Sequence, residues 1–404
     1  MKTAIHPIQI GVFGRRNTGK SSVINLLAGQ DVAIVSAVPG TTTDPVKKRM
    51  EIFGLGPVTL IDTAGIDDDG ALGSLRTAKS WHIVRQIDAA IVVTTDNRIG
   101  RWEDALMQTL RAAAVPFLIL HNKADLRKAT PATRALIAEK YAVPVVDFIA
   151  TPGGADRAAA VRQVAAALQT VVAPPAAHPP ALLDGLVKPG DSVLLVVPID
   201  SEAPEGRLIL PQVQTIRAAL DHNAIVVAVK ETEVAAFLRS TRRPPALVVT
   251  DSQLFGRIDN VIPPSIPLTG FSILLARHKG DFASYLRGTP AIGRLRAGDR
   301  VLIMESCTHQ TTCDDIGRVK IPALLRRFTG QPLEIEILSG LSPLPDGLAA
   351  YALVIQCGAC MITARQLHNR LRPFVAAGTP VTNYGMAIAY MQGIYERAIA
   401  PFIV

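Results

Sequence analysis

Gly14-Arg15-Arg16-Asn17-Thr18-Gly19-Lys20-Ser21 follows the apolar run IQIGVF at 8–13 and opens a helical pattern at about Lys20. A glycine-rich turn between a strand and a helix points backbone N–H groups inward, where they cradle phosphates. In such a loop Lys20 reaches the β- and γ-phosphates and the Ser21 hydroxyl sits on Mg²⁺. The turn commits this part of the chain to alternating strands and helices. VTLIDT at 58–63, AAIVV at 89–93 and FLILHN at 117–122 supply further strands, with a helix beginning near Trp102. Alternation of this kind predicts a parallel sheet covered by helices.

Three more motifs follow in order. Asp62-Thr63-Ala64-Gly65 ends a strand, where the aspartate holds Mg²⁺ through water and the Gly65 N–H senses the γ-phosphate. Asn122-Lys123-Ala124-Asp125 ends another, and a carboxylate there accepts from guanine N1 and N2, which adenine cannot satisfy. Pro39-Gly40-Thr41-Thr42-Thr43-Asp44 lies between the first two, and Thr42 is chosen as the threonine it gives the metal. The expected GTP-binding set is Gly14, Asn17, Thr18, Gly19, Lys20, Ser21 and Ser22 with Asn122, Lys123 and Asp125. Lys20, Thr42, Asp62 and Gly65 are the catalytic set, and Ser21, Thr42 and Asp62 are the Mg²⁺ set. The block resembles translation-factor-related (TRAFAC, Era-like) GTPases of tRNA modification and ribosome assembly. That resemblance implies a K⁺ ion beside Asn17. Ile66 stands where Ras-like proteins carry a water-orienting glutamine, and an isoleucine cannot hydrogen-bond water, so slow, K⁺-activated hydrolysis is expected. Arg15 and Arg16 read as surface loop residues, and Ile149-Ala150-Thr151 receives no role.

At 404 residues the chain is long enough for two or three domains of roughly 150 residues. Hydrophobic residues at 49% against 19% charged permit a packed core and exclude wholesale disorder. No apolar run reaches the roughly 18 residues of a membrane span, and no secretory signal opens the chain, so a cytoplasmic protein without a membrane partner is expected. The net charge of +8 suits phosphate-bearing partners, but no dense basic block appears. Aromatics at 5% are too few for a base-stacking platform, so no nucleic-acid partner is expected. VVAPPAAHPP at 171–180 reads as a linker, and PPSIPLTG at 263–270 as a second seam. These give a GTP-binding domain at 1–172, a linker at 173–181, a middle domain at 182–263 and a last domain at 264–404. In the middle block SVLLVVPI at 192–199, AIVVAV at 224–229 and ALVVT at 246–250 are strands, and Val213, Ile216 and Leu220 share a helical face. With no cysteine, it reads as a packing or oligomerisation domain.

The last block carries all four cysteines: Cys307, Cys313, Cys357 and Cys360. Cys307 follows the strand RVLIMES at 300–306, and Cys357 follows YALVIQ at 351–356. Carboxyl ends of parallel strands share one edge, so these two can meet there. Cys357-Gly358-Ala359-Cys360 is a chelating pair that admits structural zinc, a redox dithiol or an iron–sulfur cluster.

Cys307-Thr308-His309 with Gln356-Cys357-Gly358-Ala359-Cys360 resembles the motif of the scaffold GTPases of FeFe-hydrogenase maturation. Asp314-Asp315-Ile316-Gly317, Lys320-Ile321-Pro322, Asn383-Tyr384-Gly385, Pro198-Ile199-Asp200 and GRLILPQVQTIR at 206–217 extend the resemblance along the chain. It implies an α/β chain with a GTPase domain, a small dimerisation domain and a cluster domain. It further implies a 4Fe-4S cluster on Cys307, Cys357 and Cys360 with an exchangeable fourth position. There a diiron precursor would be assembled or received, then passed to apo-hydrogenase. Radical-SAM maturases, apo-hydrogenase and a second copy of the chain, in a homodimer or a larger assembly, are the implied partners. Gln356 departs from the histidine many members carry before the pair. Asp314, then His309, are the protein candidates for the fourth ligand, and Cys313 reads as a bystander. The competing reading is a ribosome-assembly or tRNA-modification GTPase with structural zinc, and a third is a zinc-stabilised adaptor.

Overall fold

The computed structural model describes residues 8–28, 46–52, 55–63, 83–84, 86–150, 156–172, 181–199, 206, 208–306, 315–360 and 362–403. The chain divides into two compact units, Met1–Ala176 and Ala177–Val404.

The first unit is built on strands β1 (Ile8–Gly14), β2 (Val46–Ile52), β3 (Gly56–Asp62), β4 (Ala89–Thr94), β5 (Phe117–His121) and β6 (Val145–Asp147). They form one sheet in the order β2-β3-β1-β4-β5-β6, parallel apart from the β2–β3 pair. Its inner strands are apolar throughout because helices cover both faces. Ile10, Val12, Ile91 and Val93 pack on one face with the helices Lys20–Ala28 and Asp156–Val171. Phe13, Ile61 and Val92 pack on the other with Arg101–Ala112 and Pro131–Tyr141. Neighbours such as Val12 and Phe13 serve opposite faces because side chains alternate along a strand. The basic Lys47-Lys48-Arg49 run lies on the edge strand β2, with Lys47 and Arg49 exposed, and such charges discourage further pairing.

The second unit holds two parallel four-stranded sheets. The first contains β7 (Ser192–Val196), β8 (Ile225–Val229), β9 (Leu247–Thr250) and β10 (Leu268–Gly270), in the order β10-β9-β7-β8. The expected seam at 263/264 does not divide the sheets. Leu268 pairs with Val248, so the proline-rich turn brings the chain back onto the same sheet. The helix Phe271–Lys279 then packs there through Phe271, Leu274 and Leu275. Val213 and Leu220 turn to solvent from the helix Leu210–Asp221, while Gln212, Gln214 and Thr215 face inward and Ile216 is half-buried. Beside that apolar stripe runs the edge strand β8, whose Ile225 is 59% exposed.

The last sheet contains β11 (Arg300–Glu305), β12 (Glu334–Ser339), β13 (Tyr351–Gln356) and β14 (Val381–Asn383), in the order β12-β11-β13-β14. Met304 lies opposite Gln356, and Gln356 opposite Asn383. The carboxyl ends of β11, β13 and β14 are therefore level, on one edge of the sheet.

Candidate functional site

Two sites are built at carboxyl edges of parallel sheets, one in each unit. In the first, the loop leaves β1 through Gly14, where an added Cβ would lie 2.4 Å from the Val93 carbonyl oxygen. Asn17 at φ 59° and Gly19 at φ 90° turn the chain back toward the helix. Lys20 folds over the loop, its Nζ donating to the carbonyls of Gly14 at 3.1 Å and Arg15 at 2.8 Å. Ser22 is half-buried one residue beyond Ser21 in the same helix.

The Ser21 hydroxyl donates to Asp62 Oδ2 at 3.0 Å from the end of β3. Asp62 is 2% exposed, and its Oδ1 is buried without a hydrogen-bond partner among the described residues. Burial raises the Asp62 pKa above the usual carboxylate range, opposed by the Lys20 ammonium and the Ser21 hydroxyl. A buried oxygen lacking a donor, beside a hydroxyl, suits a hard cation with oxygen ligands such as Mg²⁺. Thr42 and Gly65 lie outside the described residues.

Asn122, at the end of β5, ties three segments together. Its Nδ2 donates to the Thr18 carbonyl at 2.8 Å, and its Oδ1 accepts from the Ala150 N–H at 3.0 Å. Gly19 must be glycine for this contact, since an added Cβ would fall 2.3 Å from Asn122 Nδ2. Ile149-Ala150, without a role on sequence grounds, is thereby fastened to the phosphate loop through one side chain. Lys123 adopts φ 58°, and both Lys123 and Asp125 are exposed.

Arg15 departs from its surface reading. It forks onto Glu103, with Nε to Oε1 at 2.5 Å and Nη2 to Oε2 at 2.6 Å. Glu103 is 2% exposed and also accepts from the Gly100 N–H, capping its own helix. Bidentate geometry and burial make this a structural ion pair. Arg16 is half-buried.

In the second unit, Cys357 and Cys360 follow β13. Three N–H donors approach Cys357 Sγ: Ser306 N at 3.1 Å, Gln356 Nε2 at 3.3 Å and Ala359 N at 3.4 Å. Ser306 directly precedes Cys307 and follows β11, so the expected meeting of the two strand ends holds as far as Ser306. N–H groups aimed at sulfur favour a sulfur carrying negative charge, as in thiolate ligation of iron–sulfur clusters. The donor set therefore fits such a group. Cys307, His309, Cys313 and Asp314 lie outside the described residues, and among the described residues no three His, Cys, Asp or Glu side chains converge as a metal site.

Gln356 has a positioning role here. It is 0% exposed, and its Nε2 also donates to Ser306 Oγ at 2.7 Å, joining the ends of β11 and β13. Its Oε1 is buried without a partner among the described residues. The adjoining positions are pinned as well. Asp315 accepts the Arg318 N–H at 2.9 Å, and Arg318 forks onto the buried Glu305 at 3.0 and 3.1 Å. Asn383 Oδ1 accepts from Gly385 N at 2.8 Å and Ser272 Oγ at 3.0 Å, which ties the helix Phe271–Lys279 to the start of the helix Tyr384–Met391.

Sequence reasoning missed Lys279. This residue ends the helix Phe271–Lys279, is 4% exposed, and donates toward the carbonyls of Ala359, Cys360 and Ile362 at 3.2, 3.4 and 3.3 Å. No local signal singled it out, because Lys279 ends a run of three basic residues, Arg277-His278-Lys279.

Residues 182–280 match the family model described as the hydrogen maturase F dimerization domain, and residues 283–401 the hydrogen maturase F tetramerization domain. Residues 9–123 match the model of the 50S ribosome-binding GTPase. Among curated relatives, the tRNA modification GTPase MnmE of Nitrosomonas europaea is 36% identical over 125 residues, which is 31% of this chain and 28% of that protein. The MnmE of Paraburkholderia xenovorans is 37% identical over 134 residues, 33% of this chain and 28% of that protein. The match thus spans under a third of those relatives' own length. Among solved structures, a probable GTP-binding protein engB is 22% identical at TM-score 0.32, covering 41% of this chain and 98% of that one. The G domain of the T. maritima FeoB iron transporter is 18% identical at TM-score 0.31, covering 41% of this chain and 100% of that one.

Proposed function

The chain belongs to the hydrogen maturase F family, and on that premise we propose that it is a GTP-hydrolysing scaffold for maturation of FeFe-hydrogenase. One observation carries the reading. In a chain with both family-specific domains, the residue before Cys307 donates to the sulfur of Cys357 at a shared sheet edge. The domains are a GTPase at 1–172, a linker at 173–181, a dimerisation domain from 182 and a cluster domain. The last boundary is set after Lys279 instead of at 263/264, because β10 and the helix Phe271–Lys279 belong to the middle sheet.

In the GTPase, backbone N–H groups of Gly14, Asn17, Thr18 and Gly19 receive the phosphates. Lys20 spans the β- and γ-phosphates by exchanging its loop carbonyls for phosphate oxygens. Ser21, Asp62 and Thr42 would hold Mg²⁺, which would neutralise negative charge on the phosphate oxygens. Asp125 and Lys123 take the guanine, and Gly65 senses the γ-phosphate. With Ile66 unable to orient water, turnover is slow. Asn17 would hold K⁺, which would supply positive charge in place of an arginine finger, since Arg15 is committed to Glu103.

Cys307, Cys357 and Cys360 hold a 4Fe-4S cluster, with Asp314 or His309 the replaceable protein ligand at the fourth position. A cluster bound in this way supplies an iron whose outer ligand can be exchanged. Ser306 and Gln356 orient Cys357, and the level strand ends keep the cysteines on one edge. The cargo is a diiron precursor received from radical-SAM maturases and released to apo-hydrogenase. GTP state governs partner exchange, because the cysteines and the phosphate loop belong to different units. The names of the GTPase-domain relatives favour an RNA-associated reading, but they account for only the first of the three domains.

The test is transfer. Protein loaded with the diiron precursor is mixed with apo-hydrogenase, and hydrogen evolution is followed with GTP, a non-hydrolysable analogue or no nucleotide. Activation, with release rates set by nucleotide, is expected. Failure to activate hydrogenase, together with tight salt-sensitive binding of ribosomal RNA, would overturn the reading.

A further inference from the structure

Lys279 belongs to the helix of the middle sheet, yet its ammonium lies against the loop that carries Cys357 and Cys360. An ammonium has three N–H donors, and three carbonyls, of Ala359, Cys360 and Ile362, stand around Nζ. That loop is a costly conformation to hold. Ala359 is 0% exposed at φ 52°, a left-handed geometry that L-residues other than glycine avoid. A buried ammonium on the loop that carries two thiols prepares a place for an anionic group.

We infer that Lys279 is a positioning residue that clamps the cysteine loop, and that its charge biases the bound cluster toward its more negative, reduced state. The second half rests on the cluster reading, whereas the clamp does not. The helix of the middle sheet thereby reaches the cysteine loop through the Lys279 ammonium.

Hydrogen exchange of cluster-free full-length protein tests the clamp. In Lys279→Met the amides of residues 358–362 exchange about tenfold faster than in wild type, and Lys279→Arg restores most of the protection. Equal exchange in Lys279→Met and wild type overturns the clamp. An EPR-monitored redox titration of reconstituted protein tests the bias. Lys279→Met lowers the reduced-to-oxidised ratio at fixed ambient potential by roughly tenfold, a 59 mV fall for one electron. If Lys279→Met does not fold, Lys279→Gln decides in its place. Midpoint potentials unchanged from wild type overturn the bias. Wild type that takes up zinc and no iron–sulfur cluster overturns the cluster reading and the bias with it, while the exchange result on the clamp stands.

Discussion

Replacing Asn122 by alanine removes the side chain that joins the phosphate loop, the β5 end and the Ile149-Ala150 segment. Two hydrogen bonds are lost, from Nδ2 to the Thr18 carbonyl at 2.8 Å and from the Ala150 N–H to Oδ1 at 3.0 Å. Thr18, Asn122 and Ala150 are all buried, so water does not readily replace either bond. Leaving a buried backbone group unpaired costs about 1–3 kcal/mol, so Asn122→Ala should destabilise the nucleotide-free N-terminal unit by about 2–6 kcal/mol. Urea unfolding of the full chain reads this directly, because Trp81 and Trp102, the two tryptophans, both fall in that unit. GTP affinity should fall at least about tenfold as the loop loosens. Asp125→Ala is the contrast. Asp125 is exposed, so its loss should leave nucleotide-free stability within about 0.5 kcal/mol while weakening guanine recognition. An Asn122→Ala protein as stable as Asp125→Ala would refute the idea that one side chain splices these segments.

Asp62→Asn should raise the melting temperature of nucleotide-free protein at neutral pH. Burial holds the folded pKa of Asp62 above its unfolded value, so its stability contribution is present below the unfolded pKa and lost as pH rises through the folded one. The variant should flatten that decline and lose Mg²⁺-dependent GTP affinity, and a lower melting temperature at neutral pH would contradict the sign. Cys357→Ala should abolish iron retention yet leave GTP hydrolysis within about twofold, as expected for sites in separate units. Loss of both with the fold intact, seen by circular dichroism, would contradict the modular account. Ile225→Lys puts a charge on the exposed apolar edge strand β8 and should weaken self-association at least about tenfold by analytical ultracentrifugation. An unchanged dimer would move the interface elsewhere.

The nucleotide site was legible because its chemistry is local. The motifs at 14–21, 62–65 and 122–125 each begin where an apolar strand ends, while the motif at 39–44 lies outside the described residues. The cysteine edge was legible in outline for the same reason, since Met304 opposite Gln356 makes two strand ends level. What escaped were partners distant along the chain. Glu103 lies far from Arg15, and Lys279 far from Cys360, and nothing in either local pattern names the other. The seam at Pro263 failed for a related reason. Prolines mark where a chain turns but not which sheet receives the next strand, and the three residues of β10 are too short for periodicity to show. The Leu210–Asp221 helix sends Val213 and Leu220 outward and Gln212 and Gln214 inward, against the simple rule of apolar faces. A face that awaits another chain obeys that rule only in the assembly, as a dimerisation domain would require.

Anaerobic reconstitution with iron and sulfide, followed by EPR of the reduced protein, tests the central claim most directly. The account predicts a reduced 4Fe-4S signal in wild type that shifts when an exogenous ligand is added and is absent in Cys357→Ala. Stoichiometric zinc with no iron–sulfur signal would contradict it.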